Sequence, residues 1–272
     1  MRLNNGYYIP QIGVGTWTLR GETARQNVRL ALEADYRHID TAQGYDNEAE
    51  VGQAIVDSGV PRGEVHVTTK IATNVMRAGT DAVRRSIDES LRKLQTDYLD
   101  MLLIHWPVKD CVKSTWQVME DYHRQGVVRS IGLSNFNKSH IEELLTYTTV
   151  CPAVNQIEVH PLLTQKENVS YNHWLGIQIV AWGSFGQGDI DILGIPLIQE
   201  LAKKYEKTPS QIVLRWIVQR RLVAIPRAKP NHYAENMQVM DFALSMEDWR
   251  AISALNQNRR SNVLNDPETF PW

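Results

Sequence analysis

The feature that most limits this fold is an alternation. Eight short apolar runs recur along the chain, separated by stretches with helical patterning. The runs are 12–17 (IGVGTW), 38–42 (HIDTA), 65–70 (VHVTTK), 100–106 (DMLLIHW), 130–135 (SIGLSN), 153–159 (AVNQIEV), 178–184 (QIVAWGS) and 222–228 (LVAIPRA). Connections long enough for a helix suit parallel strands with right-handed crossovers. Eight such units in 272 residues imply a closed α/β (β/α)8 TIM barrel, read as one domain over residues 1–272. An open doubly wound sheet would carry a G-x-G-x-x-G turn after an early strand. Here Gly13-Val14-Gly15 is followed by Thr16, Trp17 and Thr18, with no third glycine. Gly13 and Gly15 are therefore read as permitting tight backbone turns.

The intervening segments support the same reading. Over 79–96, Val83, Ile87, Leu91 and Leu94 form one apolar stripe, and Asp88 and Glu89 stand four residues before Arg92 and Lys93. Thr208 is placed as an N-cap with Pro209 at the first helical position. A further amphipathic helix is expected at 245–256, and the tail NDPETFPW reads as irregular capping chain. At the start, RLNNGYYI reads as a small hairpin with Asn-Gly in a type I′ turn, plugging one end of the barrel.

Composition narrows the function. The net charge is −2, so nothing global favours nucleic acid or an anionic membrane. The opening MRLNNGYYIP has no apolar h-region, and no run approaches the ~18 apolar residues of a membrane span. Cys111 and Cys151 form no metal or redox motif and suit unpaired thiols in a reducing cytoplasm.

In such a barrel, chemistry collects where strands end at their C-terminal side. Alternation puts His38, Asp40 and Ala42 on one face of the second strand and Ile39 and Thr41 on the other. Asp40 would then point into the barrel, where a bare carboxylate is costly without a partner, and Lys70 on the next strand supplies one. Tyr45 lies just beyond. A nearby ammonium lowers a phenol's pKa, which would make Tyr45 a general acid near neutral pH. His105, neutral and donating, would orient a carbonyl oxygen. The four groups suit a C=O that takes a proton on oxygen and an electron pair, supplied as hydride by a nicotinamide, on carbon.

These residues sit in YRHIDTAQGYDNEAEVG, TTKI, LLIHWP, IGLSNF, NQIEVHP and IPRAKPNHYAEN. Together, in order from Gly13 to about Phe242, they resemble the aldo-keto reductase superfamily, in its compact microbial 2,5-diketo-gluconate reductase form. The resemblance implies an NADPH-dependent reductase of aldehydes and ketones. Tyr45 matches the proton donor, Lys70 and Asp40 the pair that tunes it, and His105 the carbonyl-orienting group. Ser134, Asn135 and Gln156 match the holders of the nicotinamide carboxamide, and Trp182 the aromatic that stacks on the ring. Gly183, Ser184, Phe185 and Gln187 match the pyrophosphate loop. Arg227, Ala228, Lys229, His232, Glu235 and Asn236 match the adenosine end. Trp17, Tyr45, His105 and Trp106 would line the substrate mouth. A monomer and a small carbonyl substrate are implied.

Some positions depart from the family pattern. Gly183-Ser184-Phe185 replaces the usual Ser-Pro-Leu, Arg227-Ala228 replaces Lys-Ser, and His232 stands where an arginine is usual. One hydroxyl and one permanent charge at the 2′-phosphate are lost, so NADH use is admitted beside NADPH. The short loop after His105 and the short tail predict a more open pocket than in the long-loop mammalian reductases. Two other readings stand beside this one. A metal-dependent barrel hydrolase would use His38, Asp40, His105 and His160. A regulatory subunit would bind cofactor without turnover.

Overall fold

The computed structural model describes residues 1–227 and 229–270. Ala228 lies outside the described residues. Each of the eight apolar runs forms a strand: β1 (Val14–Gly15), β2 (His38–Asp40), β3 (His66–Ile71), β4 (Met101–Ile104), β5 (Ile131–Ser134), β6 (Val154–Glu158), β7 (Gln178–Trp182) and β8 (Val223–Ala224). Neighbours pair in parallel in the order β1 to β8. The sheet then closes on itself. Ile12 bridges Ala224 in parallel, Gly13 N–H donates to Ala224 O at 2.8 Å, and Ala224 N–H donates to Gln11 O at 2.9 Å. Most strands are shorter than the apolar runs, because residues such as His105 and Asn135 leave the regular strands to line the barrel mouth.

Strand alternation makes two cores. Ile39, Val67, Leu102, Ile104, Leu133 and Ile179 face outward and pack with the helices. Met101, Leu103, Val154, Val180, Val223 and Ile225 face inward and pack with Leu3 and Ile9 of the N-terminal segment. That segment doubles back, with an antiparallel bridge between Arg2 and Tyr8. Its turn differs from the expected one. A type I′ turn needs positive φ at both central residues. Here Gly6 alone has it (φ 90°), and Gly6 N–H donates to Leu3 O at 3.1 Å. The loop is one residue longer, with Asn4-Asn5 at its centre and Gly6 closing it. Asn5 Nδ2 instead reaches Ser130 Oγ at 2.9 Å, which ties the loop to the barrel.

Gly13 does not serve a turn either. A Cβ there would lie 2.5 Å from the His38 ring, so the missing side chain makes room for a buried histidine inside the barrel. Gly15 has ordinary φ as well and lines the cavity described below.

The helices follow the sequence pattern. Over Thr80–Lys93 and the next residue, Val83, Ile87 and Leu94 are buried and Leu91 is half-buried. Glu89 pairs with Arg92 and Lys93, while Asp88 accepts from the Tyr122 hydroxyl at 2.8 Å. Thr208 caps Pro209–Gln219, with Gln211 completing a capping box. The helix expected at 245–256 is shorter, Met246–Ser253, with Ser245 accepting from Asp248 N–H at 3.1 Å. Among the described residues no helix is long and apolar enough to cross a membrane.

Candidate active site

A short helical turn, Gln43–Tyr45, follows β2 and carries the tyrosine to the barrel mouth. Both sides of it are fixed. Gln43 Nε2 donates to Ser90 Oγ at 3.1 Å and to Ser86 O at 3.2 Å, and Gln43 Oε1 accepts from Ala72 N–H at 3.0 Å. Asn47, fully buried, accepts from Thr41 Oγ1 at 2.6 Å and donates to Thr16 O and Leu19 O. The turn is thus held by the loops after β1 and β3 and by the helix after β3, which leaves the phenol little freedom.

Beneath Tyr45 lies a buried ion pair. Lys70 Nζ donates to Asp40 Oδ1 at 2.6 Å and to Thr41 O at 2.9 Å, with Lys70 fully buried. The same Nζ lies 5.0 Å from the centre of the Tyr45 ring. Gln156 Nε2 donates to the other oxygen, Asp40 Oδ2, at 2.7 Å. Burial works against the Lys70 ammonium, but Asp40 and Tyr45 outweigh it and hold its pKa above the ordinary value. Burial pushes the Asp40 carboxyl up, opposed by Lys70 and Gln156. With both oxygens engaged at these distances, the charged pair is the form the geometry supports.

The expected direction at Tyr45 is reversed. Burial pushes the phenol above its ordinary pKa, and the pull of Lys70 only partly offsets it. A turn residue's depth cannot be read from its neighbours in sequence, and depth is the larger effect here. The phenol therefore keeps its proton at neutral pH. His105 follows β4 with its ring 5.6 Å from that of Tyr45, edge to face. Burial and the Lys70 charge lower its pKa to about 3, so it is neutral.

These groups open onto a cavity of about 460 Å³. Its lining includes Trp17, Asp40, Tyr45, His105, Trp106, Ser134, Asn135, Gln156, Trp182, Gly183, Ser184, Phe185, Gln187 and Arg227. Lys70 lies behind this wall. Asn135, with φ 64°, accepts from Trp182 Nε1 at 3.0 Å and donates to His105 O at 3.0 Å and Ser134 Oγ at 3.1 Å. It thereby fixes the plane of the Trp182 ring. Arg227 reaches across the mouth, donating to Thr18 Oγ1 at 2.6 Å, with its guanidinium 5.5 Å from the centre of the Trp17 ring.

Lys229, His232, Glu235 and Asn236 lie further along the same chain segment, outside the cavity lining. His232 Nδ1 stands 3.2 Å from Glu235 Oε1, which also accepts from the hydroxyls of Thr208 and Ser210. Asn236 is fully buried, with its side chain beside the Tyr36 hydroxyl.

Three lining residues come from the tail and carried no signal in the sequence: Asn262, Asn265 and Phe270. The Phe270 ring stacks on Trp106 with centroids 3.8 Å apart and planes at 17°. The short tail thus reaches the mouth and walls one side of it.

The four residues of the metal reading do not converge. His38 Nε2 faces Thr68 Oγ1 at 3.1 Å, His160 Nε2 faces Glu158 Oε1 at 3.1 Å, and Asp40 is held by Lys70. Among the described residues no three His, Cys, Asp or Glu side chains are grouped to hold a metal ion.

Similarity to known proteins agrees with this geometry. The glyoxal reductase of Bacillus subtilis (strain 168) is 41% identical over 262 residues, covering 96% of this chain and 94% of the relative. Methylglyoxal reductase DkgA of Salmonella typhimurium is 40% identical over 273 residues, covering 99% and 97%. The crystal structure of the Bombyx mori aldo-keto reductase in complex with NADP superposes with a TM-score of 0.89 at 36% identity, covering 100% of this chain and 97% of that one. The model of the aldo/keto reductase family matches residues 11–257. With the barrel, the buried Lys70–Asp40 pair under Tyr45 and this match in hand, the chain belongs to the aldo/keto reductase family and is an oxidoreductase that reduces carbonyl groups.

Proposed function

We propose that this enzyme reduces small aldehydes and ketones, α-dicarbonyls foremost, to alcohols with NADPH, and that Tyr45 donates the proton. The observation that carries the reading is a protonated phenol beside a neutral imidazole, both backed by one buried ion pair. The names of the relatives, glyoxal and methylglyoxal reductases, support the substrate class.

The residues fit the cofactor. The buried Ser184 hydroxyl lines the cavity and has no partner among the described residues, which leaves it for a ligand oxygen. Trp182, held edge-on by Asn135, offers a flat face at the cavity. Gln156 gives its N–H to Asp40 and keeps its carbonyl for an amide donor. Bound NADPH supplies a hydride to the carbonyl carbon. His105, neutral, donates to the carbonyl oxygen and orients it. Tyr45 passes its proton to that oxygen, and Lys70 stabilises the phenolate left behind. Each C=O becomes CH–OH, and Tyr45 is reprotonated from solvent. Arg227 and Lys229 are the cations available to a 2′-phosphate. A cytoplasmic monomer is part of the same reading, supported by two unpaired cysteines.

The test follows NADPH oxidation with methylglyoxal and a panel of simple aldehydes. Tyr45→Phe should lower kcat by about 10²- to 10⁴-fold while cofactor binding persists. Equal turnover by Tyr45→Phe and wild type would sink the assignment.

A further inference from the structure

The segment that walls the cavity has little apolar packing of its own. Val263 is 81% exposed and Leu264 60% exposed, between Asn262 and Asn265 at the mouth. It is held by polar ties. Gln257 and Arg259 N–H donate to Leu162 O, both at 3.0 Å. Ser261 N–H donates to Glu158 Oε1 at 2.7 Å, and Asn137 Nδ2 donates to Glu268 Oε1 at 2.6 Å.

The Glu158 tie is unlike the rest. Glu158 ends β6 and is 1% exposed. Its Oε1 also meets His160 Nε2 at 3.1 Å. Its Oε2 has no hydrogen bond among the described residues, and Arg260 Nη1 stands 4.0 Å away. A carboxyl kept at such depth needs compensation, and here part of it comes from the tail. On its other side Glu158 pairs in register with Trp182. A Cβ on Gly183 would lie 3.3 Å from Glu158 Cγ, so the start of the 183–188 loop rests on this side chain. One buried carboxyl thus touches both the strand end that carries Trp182 and the segment that carries Asn262, Asn265 and Phe270.

We infer that Glu158 is a positioning residue that sets substrate size selection: through Ser261 and Arg260 it fixes where the tail stands at the cavity. The inference rests on the reading of this cavity as the site of carbonyl reduction. Glu158→Gln keeps the size and an acceptor for Ser261 N–H but removes the charge. The expected result is a fall of about tenfold in the kcat/KM ratio of methylglyoxal over a bulky aromatic aldehyde, carried by KM, with kcat for methylglyoxal within about twofold. Trypsin under native conditions should cut after Arg259 and Arg260 about tenfold faster, because the tail leaves its seat more often. Arg260→Gln, at a partly exposed position, should move selectivity the same way, and the double variant should be no worse than Glu158→Gln alone. It also carries the test if Glu158→Gln does not fold. Unchanged selectivity in both single variants, with cleavage unchanged in Glu158→Gln and cleavage after Arg259 unchanged in Arg260→Gln, would overturn the inference. Absence of carbonyl turnover in the wild type would instead overturn the proposed function, and the trypsin comparison would still decide the tether.

Discussion

Gln156 on β6 and Asp40 on β2 meet across the barrel, with Gln156 Nε2 donating to Asp40 Oδ2 at 2.7 Å. Three strands lie between them in either direction around the sheet. The bond joins an amide that lines the cavity to the ion pair under Tyr45. Any movement of the Gln156 side chain is therefore felt by the group that tunes the phenol.

Removing this donor leaves one buried carboxylate oxygen unpaired. Gln156→Ala should destabilise the fold by about 1–3 kcal/mol and lower kcat as well as cofactor affinity. Urea unfolding together with steady-state kinetics checks this. A loss confined to cofactor binding would mean that the bond to Asp40 is energetically idle.

The pH dependence of reduction follows from Tyr45. In the proposed reaction the protonated phenol is the active form, and burial sets its pKa above the ordinary value while Lys70 pulls it back. Activity should be retained through neutral pH and fall on the alkaline side. Lys70→Met removes the pull, so its alkaline limb should move upward while its rate drops. An alkaline limb at the same pH in both proteins would refute the coupling. His105, with a pKa of about 3, should add no limb between about pH 5 and about pH 8.

Acid stability follows from the buried histidines. Burial and the Arg62 charge lower the pKa of His66 to about 3. Below its unfolded pKa of about 6.5 the unfolded chain binds a proton on that ring and the folded chain does not. Stability is thus full above that value and is lost as pH falls towards 3. Between about pH 6.5 and about pH 5 the loss should be about 2 kcal/mol from this ring. His38 and His105, also lowered by burial, act in the same direction. His66→Gln should shrink the difference between unfolding curves measured at the two pH values. A difference of unchanged size would rule out His66 as a contributor.

Cofactor choice should respond to His232. Its ring is half-exposed, with Nδ1 at 3.2 Å from Glu235 Oε1 and Nε2 at 3.2 Å from Asn231 Nδ2. His232→Arg adds a permanent charge and should raise the NADPH-over-NADH ratio of kcat/KM by about five- to tenfold. An unaltered ratio would show that this position does not face the 2′-phosphate.

What could be read from the sequence depended on periodicity. Asp40 and Lys70 were legible because strand alternation points both inward and each needs a partner. Thr208 and the Val83–Leu94 stripe were legible because caps and helical repeats are local. The Gln156–Asp40 bond was not, since it joins residues far apart in sequence with no pattern in common. Asn262, Asn265 and Phe270 lie in aperiodic chain whose position is set by Glu158 and Trp106. The direction of the Tyr45 shift needed its depth, which no turn motif encodes. Gly13 was misread because the register of β1 against β2, which no local motif encodes, brings the His38 ring against it.

The seam where Gly13 meets Ala224 has a consequence for biogenesis. Its two strands are the shortest in the sheet, at two residues each, and lie at opposite ends of the chain. Contacts between residues roughly two hundred positions apart form late, because the loop they close is long. On the ribosome the barrel can be sealed only after residue 224 has emerged. Until then the bed of the ion pair stays open to water, so an arrested nascent chain should hold many of the catalytic side chains without the dry enclosure that makes them work.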